Sequence, residues 1–176
     1  MVELTVSLLI AGIIVVVAIP NFRSMILSNR LTTASNQVVD AINMARVEAV
    51  KRNGTVQLCS DSASANTAAS DLLGTQCGTN VGGVVALAVD SQGKPTTDPV
   101  ADGIDALAAP LKISGSLTPL RFNGQGLGAT IGSTAPYSGR VVDICTSNLS
   151  SNNHRIVQIT AGATVSVVIK TDATCS

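Results

Sequence analysis

Charge is scarce in this sequence. Of its 176 residues 12% are charged, and eleven basic residues balance eleven acidic ones to a formal net charge of zero. That balance excludes a large basic footprint for nucleic acid and leaves room only for a local patch. Histidine is scarcer still. His154 stands alone, with no Ser, Cys or Asp partner evident in the sequence of the sort nucleophilic catalysis needs, and it reads as a surface loop residue. No pair of cysteines has C-x-x-C spacing and none lies close to His154, which argues against zinc. Asp98, Asp102 and Asp105 share a loop but lack EF-hand spacing, so they read as solvated acids. No G-K-[ST] follows Gly124, Gly126 and Gly128, so these are turn glycines and not a phosphate loop. No enzyme signature, cofactor site or metal site is legible. Tryptophan is absent and aromatics are 2% of the chain, while Ala, Val, Ser, Thr and Gly are abundant. Such low charge density suits a subunit that packs among others better than a freely soluble protein.

What the sequence does have is one long apolar run at its start, and no residue from Leu4 to Phe22 is charged. About 18 apolar residues suffice to cross a bilayer as a helix. Its Leu, Ile and Val side chains contribute on the order of −3 to −7 kcal/mol towards insertion. A cleaved secretory signal is a poor fit, because no Lys or Arg precedes the apolar core and Glu3 sits where a base belongs. A plain membrane anchor fits the run but has no use for Glu3. An ionisable residue at the edge of such a segment calls for a function and a partner.

The helical pattern continues past the run. Leu31, Ala34, Val38, Ile42, Ala45 and Ala49 recur at spacings of three and four, a stripe that predicts a helix lying against a sheet. Lys51 and Arg52 suit the negative end of that helix, and Asn53-Gly54 supplies a stop. A helix from about residue 2 to 52 is about 75 Å long, more than the rest of the chain can cover, so its first half must protrude. Pro20 removes a backbone donor and is expected to kink or loosen it.

The remainder reads as strands and loops. Strands are expected at 55–59, 83–90, 111–114, 120–123, 140–146, 155–160 and 164–170. Segments 60–80 and 96–109 read as loops without periodicity. One long helix followed by strands gives an α+β fold, with the helix stripe on one sheet face. The expected divisions are a hydrophobic helix over 1–22, its amphipathic continuation over 23–53 and a β-rich globular domain over 54–176. The four cysteines allow three pairings, and an even count beyond an apolar anchor argues for an oxidising compartment. Cys59–Cys77 and Cys145–Cys175 are favoured because each is a local closure.

M-V-E-L-T, the apolar run and then A-I-P-N-F resemble the amino terminus of type IV pilins and pseudopilins. In that class the mature chain opens with an N-methylated Phe, a Thr, two apolar residues and an invariant Glu, with a proline seventeen residues further on. Glu3 and Pro20 have that separation. The resemblance implies that a leader peptide and a Phe-Thr pair precede Met1. The helix from Ser28 to Asn53, with Arg46, Glu48, Ala49, Lys51 and Arg52 matching A-R-S-E-A-I-K-R, is similar to the GspH/FimT group of minor pilins and pseudopilins. Leu120 to Gly126 resembles that group's F-N-G-x-G turn. The group's frequent Trp is absent, and Gly83-Val84-Val85 stand in its place.

The resemblance implies a pilin fold and a fibre subunit that makes and breaks no bond. The inner membrane would hold it, with its globular domain in the periplasm, until an assembly platform extracts it into a pilus. Glu3 would there pair with the amino terminus of a neighbouring subunit. A minor pilin of the FimU kind would join other minor pilins to the major pilin at the fibre tip. Two alternatives stay open. One is a type II secretion pseudopilin. The other is a FimT-type DNA-binding subunit, a property associated with a basic tail bearing G-R-x-R. This chain ends V-I-K-T-D-A-T-C-S, and Gly139-Arg140 lacks the second Arg. Its candidate DNA contacts are Arg121, Arg140, Arg155 and Lys170.

Overall fold

A computed structural model describes residues 2–67 and 71–175, without the side chains of 14–21. Helix α1 (Val2–Arg52) leads. Its inward stripe is the apolar one read from the sequence: Leu31, Ala34, Val38, Ile42, Ala45 and Ala49 are wholly buried. The alanines let backbone approach backbone, and Leu31 and Ile42 fill the gaps between sheet side chains. The helix ends in a Schellman arrangement. Gly54 N donates to Ala49 O at 3.0 Å and Asn53 N to Val50 O at 3.1 Å, with Asn53 in the left-handed region (φ 45°).

After it come β1 (Val56–Leu58), α2 (Ala63–Asn66), α3 (Leu72–Cys77), β2 (Val84–Val89) and β3 (Pro95–Ala101). Then follow β4 (Lys112–Ile113), β5 (Leu120–Phe122), β6 (Gly128–Thr130), β7 (Gly139–Cys145), β8 (His154–Thr160) and β9 (Thr164–Lys170). They form two antiparallel sheets, one ordered β3-β2-β1-β5-β6 and the other β4-β7-β8-β9. The helix stripe was expected on one sheet face. It lies instead against both, in one core with Val56, Leu58, Val84 and Phe122 of the first sheet and Val142, Ile144, Val157 and Ile159 of the second. Phe122 is completely buried opposite Gly128, where an added Cβ would stand 2.8 Å from the ring. Glycine at 128 is therefore what lets the ring lie flat on β6.

Three expectations are corrected here. Segment 96–109 is not all loop: β3 occupies its first part despite Pro95 and Pro99, because an edge strand tolerates proline. Segment 60–80 contains α2 and α3, which cover the back of β1 and β2 and bury Leu73, Cys77 and Cys59 with Val85. Asn66 holds that segment in place. Its side chain accepts from Ser60 N at 2.7 Å and donates to Ser60 O and Gly78 O at 2.8 and 2.9 Å. The third correction is β6, a strand that sequence periodicity did not show.

Candidate assembly surface

Among the described residues, the first half of α1 leaves its large apolar side chains exposed. Val2, Leu4, Leu8, Leu9, Ile10 and Ile13 are each at least half exposed, and Phe22 and Met25 continue the series at 64% and 62%. Soluble monomers rarely leave so long an apolar surface uncovered. Glu3 stands in the first turn of this helix. Its backbone carbonyl accepts from Ser7 Oγ at 2.8 Å, and Thr5 Oγ1 donates to Val2 O at 2.8 Å. These bonds keep the hydroxyls of the run satisfied within the helix. Pro20 lies within α1 (Val2–Arg52), but its side chain is among those of 14–21, so the kink or loosening expected of it lies outside the described residues. Among those residues no helix is long and apolar enough to cross a membrane, and residues 14–21 of the apolar run are not among them.

The four cations considered for DNA do not form one patch, although Arg140 and Lys170 lie near enough to repel each other beside Asp143. Arg121 belongs to β5 and the first sheet, whereas Arg140, Arg155 and Lys170 belong to β7, β8 and β9 of the second. Arg121 is tied to the carboxylate of Asp71 through both terminal nitrogens, Nη2 to Oδ1 at 2.7 Å, and its Nε donates to Gln57 Oε1 at 3.0 Å. Arg155 is 4% exposed and donates to Asn152 O at 2.7 Å and to Ser28 Oγ of α1 at 3.2 Å. Burial pulls its guanidinium below its ordinary pKa. Lys170 bonds Asp172 at 2.8 Å, which raises the ammonium's pKa. Arg140 is largely exposed and stands 3.7 Å from Asp143.

Asp71 also caps α3, accepting from Gly74 N at 3.1 Å. The hydrogen bonds from Arg121 hold its carboxyl below the usual carboxylate range, with help from that cap. A depressed carboxyl stabilises the fold above its unfolded value, about 3.9, and the contribution is lost as pH falls through the lower folded value. Asp71→Asn should therefore cost little near pH 3 and more at pH 7, on the order of 1 kcal/mol after allowing for partial exposure. Denaturation midpoints of both proteins from pH 2.5 to 7 check this. Curves that stay parallel throughout would remove the ion pair from the account.

His154 is corrected from a surface loop residue to a buried one, 2% exposed on β8. Its Nδ1 donates to Asp143 Oδ1 at 2.9 Å. Cys145 of β7 is opposite His154 in the sheet, which places Asp143 diagonally across the same face. Its Nε2 is buried with no nucleophile upon it among the described residues. The pair is thus a structural tie between β7 and β8. Asp98 is on β3 and bonds Arg52 Nη2 at 2.7 Å, apart from any shared acidic loop. Among the described residues no cluster of His, Cys, Asp or Glu is arranged to hold a metal. Disulfides join Cys59 to Cys77 and Cys145 to Cys175.

A long helix docked by one half on antiparallel sheets, with exposed apolar side chains among the described residues of its other half, is the architecture of a pilin-class subunit. Residues 34–164 match the family model of GspH, "Type II transport protein GspH", and the chain belongs to that family of minor pilins and type II pseudopilins. The fold is also that of the type IV minor pilin FimU of Pseudomonas aeruginosa strain PAO1. The crystal structure of that protein aligns with a TM-score of 0.50 at 19% identity, over 84% of this chain and 96% of that one. No curated protein matches the sequence significantly.

Proposed function

We propose that this chain is a minor pilin subunit that helps initiate type IV pilus assembly and links a tip complex to the major pilin fibre. The observation that carries the reading is the row of exposed apolar side chains from Val2 to Ile13 and at Phe22 and Met25 of α1, with a carboxylate at its edge. Such a helix requires a bilayer first and other helices later. On this reading residues 1–22 anchor the subunit in the inner membrane, residues 23–53 join the anchor to the domain, and residues 54–176 are its periplasmic domain. Glu3 pairs with the amino terminus of a neighbouring subunit and sets the axial register, a specificity role for a buried ion pair. The subunit does no covalent chemistry. Its partners are other minor pilins, the major pilin and the assembly platform of the inner membrane.

The description carried by the matching family favours a second reading, a pseudopilin of type II secretion. The DNA-binding reading has less support, since Arg155 is buried and Arg121 and Lys170 are occupied by carboxylates. A clean deletion strain with its complemented control separates these. Loss of surface pili, restored by complementation, is the expected result. Normal pili with lost secretion would transfer the chain to the second reading.

A further inference from the structure

The outer strands of the two sheets differ in how they are closed to further pairing. β3 has Pro95 and Pro99 and the ion-paired Asp98. β4 is two residues long with Lys112 exposed, and β6 is three residues long. β9 is seven residues long and pairs with β8 without a bulge, from His154↔Lys170 to Thr160↔Thr164. It contains no proline. Its one charge, Lys170, lies at its end and is already neutralised by Asp172 at 2.8 Å. Open edges present unpaired N–H and C=O groups, and proteins guard them with proline, charge, bulges or shortness. β9 has none of these guards. Val167, Val168 and Ile169 are 38%, 40% and 57% exposed on its two faces. The segment after it turns back towards the β7–β8 loop. Asn152 N donates to Thr171 Oγ1 at 2.8 Å, Asn153 exchanges two hydrogen bonds with Asp172, and Cys175 joins Cys145. Among the described residues the outer edge of β9 is therefore uncovered.

We propose that β9 is a strand-addition surface whose occupant is β9 of a second copy of this chain. The two strands pair antiparallel about a twofold axis at Val167 and join two four-stranded sheets into one. Self-complementarity selects this occupant. In that register Val165 faces Ile169 of the other copy, Ser166 faces Val168, and Val167 faces its own equivalent. Thr164 faces Lys170, so no like charges meet. Two copies of a chain with zero formal charge do not repel each other at a distance. The other edges of this chain are too short or bear proline, so they fit β9 less well. A twofold uses both β9 edges and closes the assembly at two. The inference goes beyond the fibre reading and does not depend on it.

The test uses the full chain in detergent micelles. All four native cysteines are in disulfides, so Val167→Cys introduces a lone thiol. Directly opposed residues of an antiparallel pair have Cα atoms about 4.5–5.5 Å apart, within disulfide reach. With dissolved oxygen and a copper catalyst, two such thiols lose two protons and two electrons to the oxygen and form one S–S bond. Val167→Cys should cross-link at least ten-fold more than Val47→Cys on the exposed face of α1 or Leu87→Cys on β2. Val165→Cys mixed with Ile169→Cys should cross-link, whereas Val165→Cys alone should not. Equal yields at 47, 87 and 167 would overturn the proposal, as would a monomeric Val167→Cys. Val165→Cys cross-linking with itself as readily as with Ile169→Cys would also overturn it.

Discussion

Glu3→Ala should insert into the membrane at least as well as the parent chain and be depleted ten-fold or more from fibres. Insertion improves because the substitution removes a charge from the edge of an apolar helix. Assembly suffers because, in a bundle of such helices, the neighbouring amine loses its counter-ion in a dry environment. Breaking a buried pair in this way costs about 3–5 kcal/mol, much of it from the partner left unpaired. The measurement is the ratio of the subunit in sheared fibres to that in the membrane fraction. Normal incorporation would end the proposed role of Glu3. Glu3→Gln sharpens the test, since it keeps size and hydrogen bonding and removes the charge alone.

Removing both disulfides should have the second large effect, on stability. The closures span 18 and 30 residues, and each contributes about 3 kcal/mol if it acts by restricting the unfolded chain. Together that is comparable with the whole stability of many domains, roughly 5–15 kcal/mol. For a chain of this size the expected fall in Tm is about 10–20 °C. A melt of the detergent-solubilised protein with and without reductant, with a thiol count confirming four free cysteines, measures it. An unchanged Tm at full reduction would show that the bonds add little. The single pairs should differ in kind. Without Cys59–Cys77, the segment holding α2 and α3 still has the side-chain bonds of Asn66 and the Asp71–Arg121 pair. Without Cys145–Cys175, the chain end keeps its exchange of bonds between Asn153 and Asp172.

The helix was the most legible part of the sequence, because its inward residues recur with the helical period and all six are buried. β7, β8 and β9 were legible from apolar runs between turn residues. β3 was hidden by Pro95, Asp98 and Pro99, residues that argue against a central strand but are compatible with an edge. The two short helices had a signal that periodicity missed, since Ser62 and Asp71 are capping residues whose side chains accept from Ala65 N and Gly74 N. A helix of four or six residues is too short for periodicity to show. The setting of His154 could not be read. Its partner Asp143 is eleven residues away, and only the register of β7 on β8 places them on one face. Glu3 and Pro20 were visible in the sequence as a lone carboxylate and a lone imino acid in an apolar run.

Both disulfides lie wholly outside α1, which meets the sheets through side-chain packing and a few polar ties such as Arg155 to Ser28 and Ala106 N to Gln37. No covalent cross-link therefore shares a load applied along the helix. A lengthwise pull must drag the buried side chains from Leu31 to Ala49 over both sheets together, a shearing geometry that distributes force over the whole seam. A sideways pull at the projecting end would open the same seam one turn at a time, starting at Ser28 and Leu31, and should need far less force.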